Sequence, residues 1–109
     1  MIKITFYKNK KNEYIGFQLK GHAGFAEYGQ DIVCAAVSAL SINTVNSIES
    51  LTNDKIEVKT DEELGLLSLK FLSPVSLGAK ILIDSLSLGI KGIIEDNNTE
   101  YISVTFEEV

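Results

Sequence analysis

The chain has 109 residues, the size of one domain, and 45% of them are hydrophobic, enough for a buried core. Ten Lys and Arg against 15 Asp and Glu leave a net charge of −5, which disfavours a grip on a phosphate backbone and suits an encounter with a basic partner. One Cys and one His exclude an intramolecular disulfide and a zinc site built on several thiolates.

Ile2, Ile4 and Phe6 alternate with Lys3, Thr5 and Tyr7, the period of a half-buried strand rather than the apolar run of a signal peptide or membrane helix. With a lone thiol suited to reducing conditions, this places the protein in the cytoplasm. Asn9 to Asn12 form a polar turn. Ile15, Phe17 and Leu19 repeat the alternation, so the first two strands read as a hairpin. Gly21 to Gln30 carries glycines at 21, 24 and 29 and reads as a loop. From Asp31 the period becomes helical: Val33, Val37 and Leu40, extended by Ile48 and Leu51. Ile56 and Val58 begin a third strand, residues 60–65 turn the chain, and Leu67, Leu69 and Phe71 make a fourth. After Pro74 comes a second helix with Leu82, Leu86, Ile90 and Ile93 on its apolar face, ended at residues 95–98. Ile102, Val104 and Phe106 make the last strand. The order β-β-α-β-β-α-β predicts an α+β fold, about five strands in one sheet with both helices on one face. No linker divides residues 1–109, so a single domain is expected.

The residues able to carry chemistry lie between Gly21 and Ser38. His22 and Cys34 are the only His and Cys, on either side of a glycine-bearing loop. If the loop folds back, the imidazole reaches the thiol. Cys34 reads as about one turn inside the helix start, where the positive end of the helix favours a thiolate and free amides can hold an oxyanion. The competing reading is plain packing, because a Cys among alanines on a helix is a common core residue. Asp31 either caps the helix or orients His22. Ser38, four residues after Cys34, shares its face and hydrogen-bonds near the thiol or back to a helix carbonyl. Phe25 and Tyr28 either cover an apolar substrate or anchor the loop. No metal or organic cofactor is called for.

Gly21-His22-Ala23, followed by Gly29-Gln30-Asp31-Ile32-Val33-Cys34-Ala35-Ala36-Val37-Ser38, resembles the signature of the ribosomal-processing cysteine protease Prp family. Length and element order agree over the whole chain. The resemblance implies a homodimeric peptidase with His22 as base and Cys34 as nucleophile. Its substrate would be a large-subunit ribosomal protein, losing an N-terminal extension after a hydrophobic segment that ends in aromatic residues. Neither nucleic acid nor membrane is implied as a partner. Two other functions share this fold: a non-catalytic ribosome-associated assembly or binding module, and a redox sensor in which Cys34 is oxidised. Closure of residues 23–30 over substrate is a further expectation.

Overall fold

The computed structural model describes the backbone of residues 1–21, 28–97 and 101–109, and the side chains of 1–21, 32–96 and 101–109. Strand β1 (Ile2–Lys8) and strand β2 (Tyr14–Lys20) form the expected antiparallel hairpin. Its turn is held by Asn9, whose Oδ1 accepts the amides of Lys11 at 2.9 Å and Glu13 at 3.0 Å. Helix α1 (Tyr28–Leu51) then crosses to β3 (Ile56–Asp61), which turns into β4 (Leu66–Phe71). Helix α2 (Leu77–Asn97) returns the chain to β5 (Ile102–Glu108). The sheet order is β3-β4-β2-β1-β5, antiparallel except for β1 with β5.

The alternation in the strands puts one face of the sheet in the core. Ile2, Ile4, Phe6, Phe17, Leu19, Leu67, Leu69 and Phe71 are buried on that face. Val33, Val37, Val45 and Ile48 of α1 and Ala79, Ile83, Leu86 and Ile90 of α2 join them in one cluster. Both helices therefore lie on the same face, as the pattern predicts. They meet closely at Gly89, where a Cβ would stand 2.9 Å from Leu40 Cδ1.

Some sequence expectations are corrected. Leu51 does not extend the α1 stripe; it is 76% exposed at the helix end. The α2 stripe is Ala79, Ile83, Leu86 and Ile90, with Leu82 and Ile93 on its flanks. Ile15 is only half-buried, because the register slips between Tyr7 and Lys8, so that Tyr7 faces Gly16 and Lys8 faces Tyr14. That bulge sends the Tyr14 ring into the core.

Two polar latches fix the helices. The Tyr14 hydroxyl donates to Asp84 Oδ1 at 2.6 Å, and Lys80 Nζ sits 2.6 Å from Asp84 Oδ2. Burial pushes the Tyr14 hydroxyl pKa upward and its bond to Asp84 adds to this. At the other latch Ser76 is the cap of α2: its hydroxyl accepts the Ala79 amide at 3.1 Å. Asp54 in turn accepts the Ser76 amide at 2.8 Å and the Ser76 hydroxyl. Partial burial works against the Asp54 charge, but the hydrogen bonds from Ser76 and Thr52 outweigh it and hold the carboxyl below its ordinary pKa. A depressed folded-state pKa means that this stabilisation is complete above the usual carboxylate range and is lost as pH falls through the lower folded value. Asp54→Asn is therefore expected to melt lower than wild type at pH 7, by the equivalent of about 1 kcal/mol. The two melting temperatures should converge as pH falls below the ordinary carboxylate range. A gap independent of pH would contradict the latch.

Candidate functional site

β2 leaves the sheet at Lys20, and the next residue turns sharply. Gly21 has φ +114°, a region open to glycine. Its amide is shared between the carbonyls of Leu64 at 3.3 Å and Gly65 at 3.2 Å. A Cβ on Gly21 would overlap the Met1 carbonyl oxygen. The start of β1 and the β3–β4 turn thus clamp the residue immediately before His22.

His22 and Phe25 lie outside the described residues, as does the expected closure of residues 23–30. Tyr28 and Asp31 are described in backbone only, as helical residues of α1. This shortens the predicted loop: Tyr28, Gly29 and Gln30 belong to the helix. Asp31 is the fourth helical residue, not the cap. Gly29 reads as a loop residue in the sequence, yet helix packing overrides so weak a local signal.

Cys34 is half-buried and packs against the core cluster. It is the seventh residue of α1, in the second turn rather than the first. The helix-end effect is concentrated in the first turn, so this placement weakens the argument from the helix terminus. Ser38 follows one turn later on the same side and is also half-buried. Among the described residues no three His, Cys, Asp or Glu side chains group as metal ligands would.

Ser41, seven residues beyond Cys34, is fully buried, and its hydroxyl is the only buried side-chain polar atom without a hydrogen-bond partner among the described residues. An orphaned buried hydroxyl costs about 1–3 kcal/mol of desolvation. Ser41→Ala is expected to raise the melting temperature by roughly 4 °C or more. A lowered melting temperature would show that the hydroxyl is satisfied in solution.

The sequence places the β3–β4 turn but not its contact with Gly21 at this end of the molecule. Gly65 after the acidic run 61–63 marks a tight turn. Which strand end that turn abuts depends on strand order, which no local pattern encodes.

The profile of the family described as Cysteine protease Prp matches residues 1–103, which places the chain among the cysteine proteases. The ribosomal processing cysteine protease Prp of Bacillus subtilis is 31% identical over 102 residues, 88% of this chain and 89% of that protein. That of Staphylococcus aureus is 28% identical over 98 residues, 90% and 92% of the two chains. Crystal structures of the S. aureus protease match the fold with TM-scores of 0.88, with a substrate peptide, and 0.86, with a covalently linked product peptide. Their identities to this chain are 26% and 27%, over 98% of this chain and 100% of theirs. The chain belongs to the cysteine protease Prp family.

Proposed function

We propose that this protein is an endopeptidase that removes the N-terminal extension of a large-subunit ribosomal protein, with Cys34 as nucleophile and His22 as general base and acid. One observation carries the assignment: a cysteine protease needs a thiol, and Cys34 is the only cysteine in the chain. The covalently linked product peptide in the S. aureus relative supports chemistry that passes through a covalent intermediate.

In the proposed reaction the Cys34 thiolate attacks the scissile carbonyl and His22 holds the proton. Collapse of the tetrahedral oxyanion breaks the C–N bond as His22 protonates the departing amine. A water then adds to the thioester, giving its proton to His22, and its collapse frees the acid product and the thiol. Asp31, in the first turn of α1, and Ser38, one turn past Cys34, are the supporting residues of this proposal. Phe25 and Tyr28 are its substrate-covering residues. The proposal includes action as a homodimer in the cytoplasm on a segment that is hydrophobic and aromatic before the scissile bond.

His22→Ala tests the assignment of the base. Loss of a general acid–base group costs on the order of 10² to 10⁴ in rate, so kcat should fall by that much while the melting temperature stays at the wild-type value. Retained kcat would remove His22 from the mechanism. Failure of the unaltered protein to cut any extended ribosomal protein would instead favour the binding-module reading.

A further inference from the structure

The helices do not cover the sheet evenly. On the helix side, Ile56, Val58 and Thr60 of β3 pair with Phe71, Leu69 and Leu67 of β4. The three β4 residues are 6%, 1% and 9% exposed, whereas Val58 is 37% exposed, Thr60 is exposed and Ile56 is only partly buried. The cover therefore ends at β4 and leaves a strip along β3, the edge strand of the sheet.

α1 connects β2 to β3 and so crosses over β4, the strand next to that strip. The other helix, α2, runs from β4 to β5 and so crosses β2 and β1; it is tied to the central strand β2 through Tyr14 and Asp84 and meets α1 at Leu40 and Gly89. Cys34 is six residues before Leu40, roughly 120° round the helix, and Ser38 is roughly 160° round. Their flank of α1 faces away from α2 and so toward β3. The end of the strip is closed by the β3–β4 turn. Asp61 Oδ1 accepts the amides of Glu63 at 3.0 Å and Leu64 at 3.2 Å, and Gly65 adopts φ 60°. This stiff tip holds Leu64 out, 51% exposed, with its carbonyl on the Gly21 amide next to His22. A rigid turn that presents a leucine among acidic residues does not serve the core.

We propose that the uncovered helix-side strip of β3, with Val58 and Thr60 as its floor and Leu64 at its end, seats the extended apolar segment of the peptide substrate beside Cys34. This rests on the peptidase reading and names the residues that give it specificity. Val58 and Leu64 bury apolar side chains of the peptide. The outer edge of β3, which has no strand partner among the described residues, offers backbone donors and acceptors to a chain in strand conformation.

The test separates binding from chemistry. Binding of a fluorescent peptide with an apolar stretch ending in aromatic residues is followed by anisotropy on Cys34→Ala protein, which cannot turn it over. Adding Val58→Asp or Leu64→Asp should weaken binding by about tenfold or more. Val58→Ile and Leu64→Met should leave it near the starting value, and all four should melt like the parent because the sites are exposed. Binding unchanged in the Val58→Asp, Leu64→Asp double variant overturns the proposal, as does no binding by the parent. Cleavage by protein with Cys34 intact is measured in parallel. Strip-dependent binding without cleavage retains the strip and removes the peptidase reading; cleavage with strip-independent binding does the reverse.

Discussion

Cys34→Ala is expected to abolish cleavage of the extended ribosomal protein, and Cys34→Ser to leave almost none. Alanine removes the only thiol of the chain, so no covalent intermediate can form. Serine keeps the geometry, but a hydroxyl is far less acidic than a thiol and the same imidazole does not activate it. Cys34 is half-buried against the core cluster, so trimming one small atom there costs about 1 kcal/mol or less of stability. The melting curves should stay close to wild type, and rate and melting temperature measured on the same preparations check this. Substantial turnover by Cys34→Ala would place the nucleophile elsewhere.

Gly21→Ala is expected to lose about 10²-fold in kcat. The effect is steric. Gly21 stands at φ +114°, its amide is bound by two carbonyls, and a Cβ would overlap the Met1 carbonyl oxygen. An added methyl forces either the start of β1 or the backbone entering His22 to move. A misplacement of about 1 Å in a catalytic group can cost 10²-fold in rate. Strain at such a position is on the order of 1–3 kcal/mol, so a modest fall in melting temperature accompanies the loss. The measurement is kcat beside the melting temperature. A Gly21→Ala enzyme with wild-type kcat would show that the clamp at Gly21 does not position His22, the proposed base.

Much of this architecture is legible in the chain itself. Alternation in Ile2-Ile4-Phe6 and Leu67-Leu69-Phe71 gives those strands because that face of each is buried; in Ile102-Val104-Phe106 the same alternation marks the strand, but burial fades along it, from Ile102 in the core through a partly buried Val104 to Phe106 at 47% exposure. The switch to helical spacing after residue 31 gives most of α1. Its true start at Tyr28 is hidden by Gly29, a poor helix former in an otherwise unremarkable stretch. The Ile15 bulge is hidden because a slipped register depends on what the partner strand does. Strand order is hidden for the same reason: local periodicity shows that β3 is a strand but not that it is an edge. That edge position is what leaves Val58 uncovered next to α1. Cys34 and His22 stand out as single occurrences in a short motif, but the β3–β4 turn that grips Gly21 has no signature that points to them.

In the proposed mechanism Cys34 forms a covalent bond with the substrate during cleavage. Intact-mass spectrometry of enzyme rapidly quenched in acid with substrate tests it most directly. The expected result is a thioester adduct at Cys34, equal in mass to the amino-terminal product less one water, absent from Cys34→Ala and from protein alkylated beforehand. Cleavage that proceeds at the wild-type rate in alkylated protein, with no adduct at Cys34, would contradict it.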